Sequence, residues 1–188
     1  NGLGDLHEKG LIEEIGLSNT GPKRLNFLYQ KLKERGIKIS SIQMQFSLLT
    51  KPSVEDKKIR NICNEYNIEY LAYSPLALGI LAIPPDESPK TSTFIRQKLF
   101  KRILPKTKEL RKLLTNIGEK YSATEAQVAL NWVRSHGAKP IVGIRNPLQA
   151  KDAISALSWS LTKNEKEKLD LYRNKCIAHM PQNPFTSP

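Results

Sequence analysis

A strand-turn-helix pattern that recurs along the chain constrains its fold more than any other feature. Short apolar segments, each followed by a polar turn and then by an amphipathic helix, return about every 30 residues, the length of a βαβ unit. No two segments are joined by the tight turn that is typical of a β-hairpin. This alternation indicates parallel strands that are connected through helices. The sequence therefore predicts an α/β fold with about four parallel strands, each followed by helix.

The elements themselves are predicted from the spacing of apolar residues and from end signals such as N-capping side chains, proline and glycine. The predicted strands are 11–17, 39–48, 69–74 and 140–142. Residues 3–9 are predicted to be the end of a helix that Gly10 stops, and further helices are predicted to begin near Pro22, Ser53, Thr107, Glu125, Pro147 and Thr162. For the helix at Glu125, the residues Ser122 to Glu125 form an expected capping box.

Two parts of the chain lie outside the repeating pattern. Residues 82–105 contain several prolines, serines and threonines, which predicts a long loop. Residues 176–188 have several prolines and no apolar period, which predicts a tail. We interpret the whole chain, 1–188, as a single partial domain that is long enough for one core.

Charge and cysteine content exclude several functional classes. The formal net charge is +12, but the lysines alternate with acids on predicted helices and no RNP motif or zinc finger is present. We therefore expect no nucleic-acid binding. No apolar run approaches membrane length and no signal-peptide pattern opens the chain, so we expect no membrane association. Two cysteines without CxxC spacing predict a reducing, cytoplasmic setting with neither a disulfide nor a zinc site.

The residues at the ends of the predicted strands are the candidates for function, because chemistry in parallel α/β folds is found at the carboxyl ends of strands. Uncharged hydrogen-bonding groups dominate there, with Ser18, Asn19 and Gln43, one aromatic ring, Tyr73, and one cation, Arg145. No carboxylate falls at these ends, and none of the three histidines does. The pattern predicts a binding surface for a polar, flat and anionic ligand, without a catalytic acid-base pair or a metal site.

The turn after the last predicted strand has features of a phosphate site. Gly143 and Arg145 are followed by Asn146 and Pro147, a typical N-cap and first helical residue, and Gln149 occupies the N3 position. Free N–H groups at a helix end and a two-pronged guanidinium both suit a phosphate monoester. An ordinary strand-turn-helix corner with a solvated arginine would have the same residues.

Five motifs in this order resemble the aldo-keto reductases, most closely the cyanobacterial and plastid-type members. They are EIGLSN at 14–19, IQMQFSLL at 42–49, LAYSPLALGIL at 71–81, EAQVALNWV at 125–133 and IVGIRNPLQAKD at 141–152. The resemblance covers nearly all of the chain except 82–100 and the tail. It implies a (β/α)8 TIM barrel that binds NADPH without a Rossmann fold.

The resemblance also implies roles for individual residues. Ser18, Asn19 and Gln43 would hold the nicotinamide carboxamide, and Tyr73 would stack on the nicotinamide ring. The residues along the pyrophosphate would be Ser74, Pro75, Leu76 and Gly79. The residues around the adenosine and its 2′-phosphate would be Gly143, Ile144, Arg145, Gln149 and Asp152.

The chain departs from the family pattern in three places. Ala153 replaces an asparagine usual near the adenine, and Ala82-Ile83 replace a usual Gly-Lys. The family's catalytic Asp, Tyr, Lys and His lie on strands that precede the segment resembled by 14–19. The resemblance therefore implies strands five to eight only, the C-terminal half of the barrel. With 188 residues the chain is also shorter than the roughly 250 typical of a complete barrel.

Two functional hypotheses follow. The first is an NADPH-binding half of an aldo-keto reductase that transfers hydride to an aldehyde or ketone, with the isolated chain inactive because the catalytic residues are not in it. The second is a non-catalytic nucleotide-binding or interaction module on the same fold. A half barrel would leave two open strand edges. We therefore expect that two copies can pair into a homodimer through these edges.

Overall fold

A computed structural model describes residues 2–88 and 93–181 of the chain. The strands within these residues are β1 (Ile15–Ser18), β2 (Ile39–Gln45), β3 (Glu69–Tyr73) and β4 (Lys139–Ile141). The α-helices are α1 (Gly2–Glu8), α2 (Pro22–Lys33), α3 (Val54–Tyr66), α4 (Phe94–Ile103), α5 (Lys108–Lys120), α6 (Glu125–Ser135), α7 (Pro147–Ser155) and α8 (Lys163–Lys175). Short 3-10 helices cover Ala77–Ala82, Leu104–Thr107 and Ala156–Ser158.

The strands form one sheet in the order β1-β2-β3-β4, which is also their order along the chain. β1 pairs with β2 in parallel, and the register places Leu17 beside Ile42 and Ser18 beside Gln43. Each strand is followed by helix, as expected when a helical crossover returns the chain to the starting edge of the next strand. The α/β prediction with four parallel strands is confirmed.

The described residues divide into two compact units. The smaller unit contains residues 2–45 and 52–71, and the larger unit contains 46–51, 72–88 and 93–181. The sequence had predicted a single partial domain.

The smaller unit has an aliphatic core between its strands and helices. Ile15 of β1 and Ile42 of β2 are buried, as are Leu25 of α2 and Ile59 of α3. In α3, Cys63 is buried one turn after Ile59, at the four-residue spacing that places two side chains on one helix face. On the surface Tyr29 and Tyr66 stack with ring centroids 3.7 Å apart, which ties α2 to α3.

The larger unit is built around Trp132 of α6, which is fully buried. Its indole stacks on Phe46 at a centroid distance of 5.0 Å, and the Arg173 guanidinium of α8 lies 5.4 Å from both rings. The indole N–H donates to Asp170 at 2.8 Å. The second tryptophan, Trp159, also belongs to this unit. α6 and α8 are thus held together by cation–π and hydrogen-bond contacts in addition to aliphatic burial.

Most helix ends follow the local signals in the sequence. Ser53 caps α3 by accepting from the Asp56 N–H at 3.0 Å, and Thr162 begins α8 with a complete capping box. The capping box predicted at Ser122 to Glu125 is wrong. Thr124 caps α6 instead, because its hydroxyl accepts from the Gln127 N–H, while Ser122 has a φ of 50° in the preceding turn.

Each of the four predicted strands differs from the observed strand at a boundary, and β4 spans Lys139–Ile141 where 140–142 was predicted. Residues 11–14 precede β1 and are not extended as a strand, because a turn with φ of 67° at Gly10 and the exposed Glu13 and Glu14 occupy this part. β2 ends at Gln45 and not at residue 48, since the Ser47 hydroxyl accepts from the Leu49 N–H and turns the chain. β3 ends one residue early, at Tyr73.

The prediction of a continuous loop over 82–105 is wrong in its second half. Residues 94–103 form α4, with Phe100 and Ile103 buried, and a 3-10 turn follows. Residues 84–87 are irregular but fixed, because the Arg111 guanidinium donates to the carbonyls of Pro84, Pro85 and Glu87 at 2.8–2.9 Å. Residues 89–92 lie outside the described part of the chain.

The predicted tail is anchored where it is described. The Met180 N–H donates to the Leu49 carbonyl at 2.9 Å, and Ala178 and Met180 are buried. Residues 182–188 of the predicted tail lie outside the described part. Across residues 2–88 and 93–181, none of the helices has the length and apolar character needed to cross a membrane.

Candidate functional site

In the smaller unit, three of the predicted site residues meet where β1 and β2 end. The Asn19 backbone N–H donates to the Gln43 carbonyl at 3.0 Å, and the Asn19 side-chain amide donates to the Ser18 hydroxyl at 3.1 Å. Asn19 has a φ of 52°, in the left-handed region that asparagine enters more readily than most residues. Ser18, Asn19 and Gln43 therefore present a compact set of uncharged donors and acceptors.

An open groove of about 590 Å³ borders this set. Ser18 and Asn19 line it together with Gly16, the exposed cation Arg24 and the aliphatic Leu28. Arg35, at the far side, is already held by Asp5 and Glu8, with both contacts at 2.7 Å. The groove can accept a polar ligand beside Ser18 and Asn19 without displacing a residue of the core.

In the larger unit, β3 leads into a turn with unusual backbone conformations. The Tyr73 carbonyl accepts from the Phe46 N–H at 3.3 Å, and its side chain is half-buried. Positive φ values follow at Ser74, Ala77 and Leu78, and at Gly79. Non-glycine residues in this region cost roughly 1 kcal/mol or more each, and such strain is concentrated at functional sites.

The predicted pyrophosphate residues all lie in this strained turn. Ser74, Leu76 and Gly79 are half-buried, whereas Pro75 is buried. The Ala77 N–H donates to the Ser74 carbonyl at 3.0 Å and the Gly79 N–H to the Leu76 carbonyl at 2.9 Å. These bonds hold the turn in one conformation, so its backbone can form a preshaped surface.

The turn between β4 and α7 is fixed by two side chains, as its sequence predicts. The Asn146 side chain accepts from the Gln149 N–H at 2.9 Å, which confirms the N-cap. The Gln149 side chain reaches back and accepts from the Arg145 N–H at 2.8 Å. The expected capping box would have used the N–H of Asn146 itself, one residue later.

The exposed groups of this turn suit an anion. Gly143, Ile144 and Arg145 are exposed, and the Arg145 guanidinium has no ion-pair partner among the described residues. The Leu148 N–H in the first turn of α7 has no acceptor within that part of the chain either. A free guanidinium beside a free helix N–H is a combination that binds phosphate through charge-assisted hydrogen bonds.

Asp152 of α7 has a different environment from the one implied by the sequence resemblance. Its carboxylate accepts from the Gln127 side chain at 2.7 Å and from the Thr124 hydroxyl at 3.0 Å, both in the first turns around the start of α6. Gln127 in turn accepts from the Trp159 indole N–H at 3.1 Å. Asp152 is thus occupied in joining α7 to α6.

The sequence analysis missed Gln127 and Thr124 as partners of a site residue. Gln127 is only 8% exposed and lies among the apolar residues of α6. An amide on a buried helix face needs a hydrogen-bonding partner. The amide of Gln127 among the apolar residues of α6 was therefore the sequence signal that could have identified this residue.

Acid-base groups elsewhere in the described residues have ordinary structural roles. Burial, with a smaller contribution from Asp56, raises the pKa of the Cys63 thiol to about 12, which leaves it un-ionised and unreactive at neutral pH. His136 ends α6 and contacts Asp170 at 2.9 Å. No cluster of three or more His, Cys, Asp or Glu side chains that could hold a metal ion occurs in residues 2–88 and 93–181.

Comparisons with known proteins identify the family that the chain is similar to. The model of the aldo/keto reductase family matches residues 1–173. The chloroplastic pyridoxal reductase of Arabidopsis thaliana is 39% identical over 185 residues, which is 98% of this chain and 50% of the relative. The NADPH-dependent alpha-keto amide reductase of Saccharomyces cerevisiae is 31% identical over 166 residues, covering 87% of this chain and 45% of the relative.

Among solved structures, the aldose reductase of Schistosoma japonicum superposes with a TM-score of 0.65 at 17% identity. The match covers 97% of this chain and 48% of that one, and it shows a shared fold. The chain thus spans about half the length of the curated relatives that it matches.

Proposed function

The chain belongs to the aldo/keto reductase family, and we propose that it is the NADPH-binding half of a reductase acting on an aldehyde or ketone. Its α/β fold with four parallel strands is that of half a (β/α)8 barrel. The observation that carries the proposal is the meeting of Ser18, Asn19 and Gln43 at the ends of two paired strands. These residues lie within the part of the chain that the family model matches.

We assign the nicotinamide end of NADPH to four residues. The carboxamide has both a donor and an acceptor, and the hydroxyl of Ser18 and the amides of Asn19 and Gln43 offer both in return. Tyr73 stacks on the ring, as a half-buried aromatic side chain at a strand end can. When bound, NADPH supplies the hydride that reduces a carbonyl group.

We assign the phosphates to the two turns of the larger unit. Ser74, Leu76 and Gly79 follow the pyrophosphate, and the buried Pro75 shapes their backbone without a polar contact of its own. Arg145, with Gly143, Ile144 and Gln149 around it, binds the adenosine 2′-phosphate. Asp152 supports this turn from the side of α6.

Discrimination between NADPH and NADH then follows from charge. The 2′-phosphate is the group that distinguishes the two coenzymes, and Arg145 is a cation without a competing carboxylate partner in the described residues. The Asp152 carboxylate accepts hydrogen bonds from Gln127 and Thr124 and forms no ion pair with Arg145, so the guanidinium stays available to the phosphate. Ala153 lacks the amide that would contact the adenine, so we expect the phosphate to contribute more than the base.

The carbonyl class of the substrate is supported by the relatives. One is named a pyridoxal reductase and another an alpha-keto amide reductase. Pyridoxal is an aldehyde and an alpha-keto amide contains a ketone. We therefore propose a small aldehyde or ketone as substrate of the protein that contains this half.

We further propose that the chain of 188 residues binds NADPH but does not catalyse the reduction of a carbonyl substrate. The family's Asp, Tyr, Lys and His set is carried by strands that are not among the five motifs present here. The test measures the fluorescence of NADPH on titration with the purified chain, then NADPH oxidation with a panel of aldehydes and ketones. Saturable binding without oxidation is expected. Absence of binding would overturn the cofactor assignment, and carbonyl-dependent oxidation would overturn the predicted inactivity.

The second candidate is a non-catalytic nucleotide-binding module. It is favoured by the uncharged character of the strand ends Ser18, Asn19 and Gln43, which bind without transferring a proton. Co-expression of the chain with the part of the Arabidopsis relative that it does not match distinguishes the two candidate functions. Restored carbonyl reduction supports the reductase half, whereas continued inactivity with intact NADPH binding supports the module.

A cytoplasmic location is part of the same proposal. Cys63 and Cys176 are free, as a reducing compartment permits. The Arabidopsis relative is named chloroplastic. Imaging of the protein with a C-terminal fluorescent tag distinguishes the two locations.

A further inference from the structure

The segment around α4 is strongly basic and contains no acid. Residues 93–108 include six lysines and arginines but neither aspartate nor glutamate. The six are Arg96, Lys98, Lys101, Arg102, Lys106 and Lys108. This segment alone accounts for half of the formal net charge of +12. The lysines that alternate with acids lie on other helices, and most of this segment falls in the part predicted as a loop.

The cations on the outer face of α4 have no counter-charge among the residues that the structure describes. Lys98, Lys101 and Arg102 are exposed and form no ion pair with any residue in the described ranges. Cations on other helices do have such partners, for example Lys166 with Asp170 at 2.8 Å and Lys31 with Glu34 at 2.8 Å. The difference shows that α4 is an uncompensated positive surface.

The spacing of these cations works against the helix itself. Lys98 lies three residues before Lys101 and four before Arg102, so the three charges are neighbours on one face. Like charges at these spacings repel and destabilise a helix. Their position in the last turns offsets only part of this repulsion through the helix dipole. An anionic partner would remove the repulsion.

Two large apolar side chains share that face. Phe94 and Ile95 are 78% and 81% exposed in the first turn of α4, within one turn of Lys98. The opposite face is already used for folding, because Phe100 and Ile103 are buried. The outer face of α4 therefore combines an apolar end with a cationic remainder.

This combination discriminates between kinds of anionic partner. A nucleic acid would pair with the cations and leave Phe94 and Ile95 in water, since duplex phosphates offer no apolar surface. An anionic lipid surface uses both parts, because apolar side chains enter the boundary below the headgroups while lysine and arginine extend toward the charged headgroups. Clusters of four to eight basic residues on a helix are typical of such binding.

The geometry points to α4 as a docking surface for a membrane of anionic phospholipid. Phe94 and Ile95 insert at the interface, and Lys98, Lys101 and Arg102 bind the headgroups. The contact is peripheral, since α4 has ten residues and is basic. It also revises the expectation of no membrane association, which rested on the lack of a spanning segment.

Vesicle flotation tests the electrostatic part. The chain is mixed with vesicles of phosphatidylcholine, with or without phosphatidylserine, at low and high salt. We expect binding only with phosphatidylserine, and weaker binding at high salt. The triple variant K98Q/K101Q/R102Q should bind roughly 100-fold more weakly, whereas the matched control K163Q/K168Q/K175Q on α8 should bind as the wild type does. Absence of wild-type binding, or equal loss in both triple variants, would overturn the proposal.

The double variant F94S/I95S tests the apolar part. These side chains are exposed, so the variant should keep the far-ultraviolet circular dichroism of the wild type. We expect vesicle binding to fall at least about 10-fold, while binding to duplex DNA, a soluble polyanion, stays unchanged. If vesicle binding is unaffected by F94S/I95S, or if DNA binds more tightly than phosphatidylserine vesicles, the surface recognises polyanions in general and the lipid assignment is wrong.

Discussion

Arg145 is the residue on which coenzyme preference depends in our proposal. Its guanidinium is exposed and without an ion-pair partner in the described part of the chain, next to the capped start of α7. Substitution Arg145→Gln should weaken NADPH binding by roughly 10- to 100-fold, the range of about 1.5–3 kcal/mol for a hydrogen bond to a charged group. NADH binding should change little. Titration of coenzyme fluorescence measures both.

The matched control for Arg145 is Lys151→Gln, one turn further along α7. Lys151 is also exposed, so this variant removes one positive charge from the helix that follows Arg145. If both substitutions weaken NADPH equally, the effect is a general field and Arg145 makes no specific contact.

Gln127 of α6 is predicted to stabilise the position of α7 through its hydrogen bond to Asp152. It joins Asp152 to Trp159 and is 8% exposed. Substitution Gln127→Leu leaves an indole N–H without its acceptor and a carboxylate with one donor fewer, so unfolding in urea should require about 1–3 kcal/mol less. The exposed change Gln30→Leu on α2 should stay within about 0.5 kcal/mol. An unchanged midpoint for Gln127→Leu would mean that water replaces its contacts.

At the level of elements, α8 gives a pH-dependent contribution to stability through Glu165. Burial alone would raise the pKa of Glu165, but the hydrogen bonds from Thr162, Tyr121 and Lys120 outweigh it and lower the pKa below 4.5. A carboxyl pKa that is lower in the folded state stabilises the protein at pH values above the pKa of the unfolded state. This stability is lost as the pH falls through the pKa of the folded state. The free energy of unfolding should therefore decrease as the pH drops below about 4.5.

The substitution Glu165→Gln checks this origin. It should make the dependence of unfolding free energy on pH shallower in that acidic interval, because the group that takes up the proton is gone. Glu167→Gln, a change of an exposed carboxylate in the same helix, should leave the slope as in the wild type. Parallel slopes in the wild type and Glu165→Gln would contradict the assignment.

Arg111 of α5 is predicted to fix the segment 84–87. Its guanidinium is 3% exposed and donates to three carbonyls of that segment. Substitution Arg111→Met leaves these carbonyls without a donor, so the protein should lose about 2–3 kcal/mol of stability and become sensitive to proteolysis at 84–87. Lys112→Met, on the exposed side of α5, should change stability by less than about 1 kcal/mol. Resistance to proteolysis in Arg111→Met would show that the segment is held by other contacts.

The elements that sequence analysis predicted well are those with a local cause. Ser53, Asn146 and Thr162 each cap a helix through an N–H three residues away, so the signal and its partner are read together. The pairing of Ser18 with Gln43 depends on strand register, and the contact of Asp152 with Gln127 joins residues 25 positions apart. Such contacts depend on packing that no short window contains. α4 was missed because basic residues surround its two buried side chains, Phe100 and Ile103.

For the whole molecule, self-association is the outcome expected from an unpaired strand edge. β4 is last in the strand order, and an open groove of about 590 Å³ near it is lined by Ile144, Ile154 and Leu157, which are 49%, 65% and 63% exposed. Large exposed apolar side chains at a sheet edge favour pairing with a second copy. Sedimentation equilibrium should show a monomer–dimer equilibrium.

The double substitution Ile154→Asp with Leu157→Asp should shift this equilibrium to the monomer. Ile177→Asp, at a side chain that is even more exposed at 80% but away from β4 in sequence, should leave it unchanged. A wild-type protein that sediments as a monomer at every concentration would contradict the prediction.

Both tryptophans, Trp132 and Trp159, belong to the larger unit, and the smaller unit contains none in its described residues. Indole emission at the red edge of the excitation band therefore reports on the larger unit alone. Tyr29 and Tyr66 stack in the smaller unit, so the difference in near-ultraviolet circular dichroism between the wild type and Tyr29→Leu isolates a signal from that unit. Denaturation curves recorded with the two chromophores will coincide if the chain melts as a single cooperative block and separate if it melts in two stages.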